Sequence, residues 1–180
     1  MTYDTTLIIP KEVSIIIEGQ EVSVKGPRGS LTKSLYHPLL TLSTENNTLH
    51  IKAKTTKPGK REKIQINTFS AHLNNLINGV QHPYLATLKI CSGHFPITVT
   101  VEGRTVHIKN FLGEKSPRKA SLMDNVTVRI DGDQIFVEGP DLEHVSQTAA
   151  RIEQATRITN RDRRVFQDGC YITQKAGTHQ

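Results

Sequence analysis

The sequence predicts an α+β fold built by internal duplication: two similar small domains, each an antiparallel β-sheet packed against one α-helix. Three observations lead there. Residues 13–25 and 97–109 match at a constant spacing of 84, both stretches alternate apolar and polar residues, and each copy later switches to an apolar stripe of helical period. Elements of this kind close a core most simply as a sheet with a helix on one face.

The first match sets Val13 through Lys25 over Ile97 through Lys109. Glu18-Gly19 recurs as Glu102-Gly103, the closing lysine recurs, and every apolar position of the alternation is kept. Two alternating runs joined by a short Gly-containing turn make a β-hairpin. The same spacing carries on to Gly29 over Gly113. A second match follows at a spacing of 86, with Leu40, Leu42, Leu49 and Ile51 over Val126, Val128, Ile135 and Val137. Asn46-Asn47 and Gly132-Asp133 supply the turns of this second hairpin.

Phe69, Leu73, Leu76, Ile77 and Val80 then fall on one helical stripe, ending near Gly79. Leu142, Val145, Ala149, Ile152 and Ala155 make its counterpart, entered through Pro140-Asp141 with Asp141 placed to cap. Gln81-His82-Pro83 reads as a linker, so the domains are 1–83 and 84–180. Tyr84, Ala86, Leu88 and Ile90 alternate and open the second domain as a strand. Cys170-Tyr171-Ile172 adds one last short strand, and the ending beyond Lys175 reads as frayed.

Composition narrows the function. The 180 residues include no Trp and 5% aromatics, few of the large side chains that line ligand pockets, so no small-molecule substrate is expected. No apolar run approaches the length of a membrane span, and no secretory leader is visible at the N-terminus. Two cysteines, Cys91 and Cys170, cannot build a disulfide scaffold and point to a reducing compartment.

The net charge of +6 suits a polyanionic partner, and its distribution says more than its sum. Lys52, Lys54, Lys57, Lys60, Arg61 and Lys63 fall within a dozen residues. Lys109, Lys115, Arg118 and Lys119 form a second run, and Arg157, Arg161, Arg163 and Arg164 a third. One such run is ordinarily a solvated face, whereas three beside Gly, Pro or Asn suggest phosphate contacts.

Catalytic patterns are missing. Gly113-Glu114-Lys115-Ser116 resembles the end of a phosphate-binding loop but lacks the upstream glycine. Gly26-Pro27-Arg28-Gly29 reads as turn chemistry. Cys91-Ser92-Gly93-His94 offers two ligands where a structural zinc site needs four, so no metal is expected. As a nucleophilic pair, Cys91 and His94 sit near the domain junction with no neighbouring carboxylate to orient the imidazole. On residues alone, a protein-binding scaffold without RNA stays open beside a nucleic-acid binder.

Asn110-Phe111-Leu112-Gly113-Glu114-Lys115 after a strand, the Val24 to Gly29 hairpin edge, and the ending from Gln154-Ala155-Thr156 through Asn160, Asp162, Phe166, Asp168-Gly169 and Tyr171 together resemble a known family. It is the large-subunit ribosomal protein family numbered six in bacteria and archaea and nine in eukaryotes, and the chain looks like its eukaryotic branch. The resemblance runs from about Ile9 to Lys175. It implies a duplicated α+β protein without catalytic activity or cofactor. It implies binding to large-subunit ribosomal RNA near the sarcin-ricin loop and the base of the acidic stalk, beside neighbouring large-subunit ribosomal proteins and where translational GTPases dock. It also implies a place in cytoplasmic ribosomes, with nucleolar assembly in a eukaryote. The positions matching the family's RNA-binding loop and tail are Lys109, Lys115, Arg118, Lys119, Arg157, Asn160, Arg161 and Lys175. Charge alone adds Arg163 and Arg164.

Overall fold

The computed structural model describes residues 4–45, 47–55, 59–162 and 164–178. Asn46, Lys57 and Arg163, named above, lie outside the described residues, as do His179 and Gln180 of the ending. The chain divides into two compact units, Met1–His82 and Pro83–Gln180. The division falls where His82 turns extended ahead of Pro83, a conformation that proline imposes on the residue before it.

The first unit holds β1 (Asp4–Ile8), β2 (Ser14–Glu18), β3 (Glu21–Gly26), β4 (Gly29–Ser34), β5 (Leu40–Glu45), β6 (Thr48–Ala53) and α1 (Lys60–Gln81). They form two antiparallel three-stranded sheets, ordered β2-β3-β4 and β1-β6-β5, so the strands of one copy divide between two small sheets. The expected stripe of α1 is its buried face: Phe69, Leu73, Leu76, Ile77 and Val80 pack with Ile66 against Val22, Val24, Leu49 and Ile51. The helix runs two residues past Gly79, to Gln81.

The second unit repeats this plan with β7 (Tyr84–Cys91), β8 (Thr98–Glu102), β9 (Thr105–Lys109), β10 (Arg118–Ser121), β11 (Thr127–Asp131), β12 (Gln134–Gly139), α2 (Leu142–Ala155) and β13 (Gly169–Thr178). Its sheets are β10-β9-β8 and β11-β12-β7-β13, all pairs antiparallel. Asp141 caps α2 by accepting from the Glu143 amide at 2.8 Å. Val145, Ala149 and Ile152 of the helix close over Leu88, Ile135 and Val137.

Register shows the duplication at atomic level. Ile15 pairs with Val24 and Val99 with Ile108; Leu42 pairs with Ile51 and Val128 with Val137. The first hairpins even turn alike, through Gly19 at φ 62° and Gly103 at φ 60°, a left-handed backbone that glycine adopts at no steric cost.

Two expectations change. Gly29 and Gly113 do not correspond: Gly29 opens β4, whereas Gly113 ends a single 3-10 turn, Phe111–Gly113, inside a longer connection. From Ala176 to Thr178 the chain is not frayed. β13 is a ten-residue strand that continues through Ala176 and Gly177 to Thr178, because the edge of β7 offers partners as far as Leu85 and Tyr84. Among the described residues no helix is long and apolar enough to cross a membrane.

Candidate nucleic-acid interface

Three connections of the second unit converge: 92–97 between β7 and β8, 110–117 between β9 and β10, and 156–168 between α2 and β13. The middle one is built around Phe111, the largest of the fully buried side chains, which pins the loop to the core. Around it Asn110, Leu112 and Gly113 all take positive φ, at 60°, 49° and 77°. A leucine in the left-handed region costs on the order of 1 kcal/mol, so the surrounding contacts must hold the turn.

Those contacts are specific. Asn110 Nδ2 donates to the Pro96 carbonyl at 3.0 Å, and the Phe95 ring lies over Gly113, joining the first two connections. Arg118 joins the second to the third. Its guanidinium donates to both Glu114 carboxylate oxygens at 2.8 and 2.6 Å, to the Ala155 carbonyl at 2.9 Å and the Arg157 carbonyl at 3.2 Å, and lies 4.2 Å from the centre of the Phe111 ring. A cation against the last carbonyls of α2 also meets the negative end of the helix dipole. The Arg118 hydrogen bond, first among the influences on Glu114, holds that carboxyl below its ordinary range, and the Arg161 charge acts in the same direction.

Asp168 joins the first connection to the third. It is 1% exposed, and its carboxylate accepts from the Gly93 amide at 2.7 Å, the His94 amide at 2.9 Å and His94 Nδ1 at 2.7 Å. Burial alone would push this carboxyl up; the bonds from His94 and Gly93 outweigh burial and hold it at about 2. The expectation that no carboxylate orients His94 is therefore overturned: Asp168 comes from 74 residues away, through folding of the second unit rather than at a domain junction. Cys170 is fully buried, which pushes its thiol up to about 11, and Cys91 is half-buried at the end of β7. Among the described residues no three His, Cys, Asp or Glu side chains gather to hold a metal.

The expected RNA-binding residues separate into groups. Lys115 is exposed on the middle connection, and Arg157, Asn160, Arg161 and Arg164 are exposed on the third. Arg161 lies 5.0 Å from the centre of the Phe166 ring, which stacks on His94 at 4.8 Å. Arg164 pairs with Asp162 at 2.9 Å. Lys109 and Lys119 stand on the face of the β8-β9-β10 sheet away from buried Ile108 and Ala120, with Lys109 3.8 Å from Glu102. Lys115, Lys119 and Arg157 make no ion pair among the described residues. Arg118 is held inward, as a brace rather than an exposed cation. Lys175 lies apart, beside Leu142 and Ser146 at the start of α2, about 20 Å of helix from Arg157.

Phe95 and Gln167 carry no signal in the sequence, His94 stands out there only beside Cys91, and Phe166, Asp168 and Tyr171 only as letters of a motif. The one signal for them was the Asp168-Gly169-x-Tyr171 spacing itself.

The ribosomal protein L6 family model matches residues 9–82 and again 95–169, once for each half. The chain belongs to the ribosomal protein L6 family. It is 41% identical over 170 residues to the large ribosomal subunit protein uL6 of Natronomonas pharaonis, covering 94% of this chain and 95% of that one. It is 43% identical over 169 residues to its counterpart in Methanococcus vannielii, covering 94% and 92%, and 43% identical over 170 residues to that of Desulfurococcus amylolyticus, covering 93% and 91%. The family is structural and not enzymatic, and in this chain the His94–Asp168 pair ties two loops together. These relatives are archaeal, so the eukaryotic branch expected above rests on the sequence motifs alone.

Proposed function

We propose that the chain is a structural constituent of the large ribosomal subunit, in the cytoplasm, that holds ribosomal RNA through the loop cluster of its second unit. The RNA lies near the sarcin-ricin loop and the base of the acidic stalk, so the protein steadies the region where translational GTPases dock, among neighbouring large-subunit proteins. Family membership supports the subunit. The observation that carries the RNA reading is the convergence of Lys115, Arg157 and Arg161 on connections that Phe111, Arg118 and Asp168 brace from within.

Braced cations suit a ribosomal role. Contacts to phosphate and sugar fix RNA helices in one relative orientation, and the deep groove of A-form RNA keeps recognition dependent on shape. Cations whose loops are already ordered lose less freedom on binding. In a cell, the protein should sediment with large subunits and whole ribosomes on sucrose gradients at moderate salt and leave that position after nuclease treatment. In vitro, about six phosphate contacts give a log-log salt slope of order −4. Complexes that ignore both salt and nuclease would instead identify a protein-binding scaffold.

A further inference from the structure

We propose that the cleft between the end of α2 and the start of β13 receives one unstacked RNA base, with the Tyr171 ring as its stacking platform. The proposal rests on the RNA-binding reading and adds a subsite to it.

Tyr171 is an aromatic ring left 40% exposed yet held in place. Its hydroxyl donates to the Asp168 carbonyl at 3.3 Å, and its ring edge lies 3.4 Å from where a side chain on Gly169 would begin. Gly169 sits at φ 149°, in the region that L side chains rarely adopt. The glycine therefore lets the strand turn where the ring packs at van der Waals distance. Asp168 fixes the same backbone from the other side through the three bonds described above. An exposed aromatic fixed in this way loses little freedom when a second planar group stacks on it.

The cleft beside the ring has a volume of about 420 Å³. Ile158 gives the cleft an apolar floor, and Thr156 beside it has its hydroxyl bonded to the Glu153 carbonyl and the Cys170 amide. Phe166, already engaged by His94 and Arg161, serves as a wall. Gln167 brings an amide whose oxygen can accept while its nitrogen reaches the Arg164 carbonyl at 3.5 Å, so a base edge would find a polar partner. Glu153 is the one carboxylate in the lining, and it accepts from the Ile172 amide at 2.9 Å. Arg157 lines the cleft and Arg161 stands next to it, where the phosphates on either side of an extruded base would lie. This positive setting favours a nucleotide over an apolar peptide side chain. Single-stranded RNA is recognised in the same manner, by aromatic stacking with cations along the backbone.

The test uses the full-length chain and protein-free large-subunit ribosomal RNA. Because the sequence has no Trp, Tyr171→Trp introduces a single reporter at the platform. Its emission should be quenched on saturation with the RNA. Tyr171→Leu should weaken binding roughly tenfold with an unchanged salt slope, and Tyr171→Phe, which keeps the ring, should bind within about twofold of wild type. Wild-type affinity for Tyr171→Leu, or unquenched Trp emission in the RNA-bound protein, overturns the proposal. So does quenching by RNA-free ribosomal proteins alone, which would make the cleft a protein contact. Lys115→Ala and Arg161→Ala run in parallel separate the two levels. If they lower the salt slope while the Tyr171 variants do nothing, the base site fails and RNA binding stands; if they too do nothing, both fail.

Discussion

The two halves share a plan, and one of their differences lies in a matched connection. In the first, Val24 pairs with Leu31 across the two-residue turn Pro27-Arg28, seven positions apart. In the second, the equivalent Ile108 pairs with Arg118, ten positions apart, so the connection has gained three residues. Leu31 is a buried core residue, and Arg118 stands at its structural position. The inserted chain brings its own replacement for the lost apolar side chain in Phe111, and the arginine turns to the loop ends instead. The second unit thus differs from the first by a longer turn and by an arginine brace where the first has a core leucine. In the first half Lys60 and Arg61 open α1, where Gly59 provides no side-chain cap and the helix dipole is unfavourable to cations.

The largest expected effect tests whether the insertion is a core element. Phe111→Ala should cost about 3–5 kcal/mol of stability in the second unit, seen in hydrogen exchange as lost protection of β8 to β10, while β2 to β4 keep theirs. Uniform loss in both units would show that the halves do not differ in this way.

Arg118→Leu restores the residue type of the first half. It should leave the unit folded but cost about 2 kcal/mol, because the Ala155 and Arg157 carbonyls and Glu114 lose a charged partner. RNA affinity should fall more than it does for Lys115→Ala. Equal effects would mean that Arg118 is one more phosphate contact and not a brace.

Asp168 sharpens the contrast through pH. Its carboxyl falls from an ordinary 3.8 to about 2 on folding, so its contribution of about 2 kcal/mol is complete above pH 4 and disappears as pH falls through 2. Wild type and Asp168→Asn should therefore differ in chemical-denaturation stability at neutral pH and converge between pH 4 and 2. A constant gap across that window would remove the His94–Asp168 tie as its source.

The smallest effects separate the two basic surfaces. Lys115→Ala should reduce the salt slope of RNA binding by about 0.7 with little change in stability, whereas Lys60→Ala in the first half should leave the slope unchanged. Equal reductions would make the two surfaces equivalent.

Much of the fold was legible because strands and helices are periodic. The alternation from Val13 to Lys25 and from Ile97 to Lys109 determined two hairpins, their register and their duplication, since a one-residue slip would expose every buried side chain. The stripes of α1 and α2 were legible for the same reason. The division of each copy into two sheets was not, because alternation marks which face is buried and not which strands become neighbours.

The candidate site was legible as motif positions and charge, without the partners of any side chain. Basic residues in the Lys109–Lys119 and Arg157–Arg164 runs look alike in sequence, yet Arg118 turns inward, Arg164 is paired with Asp162, and Lys115 and Arg157 face solvent. Lys175 carries the same charge and lies at the far end of α2. The carboxylate that orients His94 is 74 residues distant, and the Tyr171 hydroxyl is held by the Asp168 carbonyl across a glycine at positive φ. Sequence by itself determined the repeated α+β scaffold, because periodic burial is written locally. Only the tertiary structure decided which charges point outward and which hold the loops, because hydrogen-bond and ion-pair partners are chosen across connections that have no period.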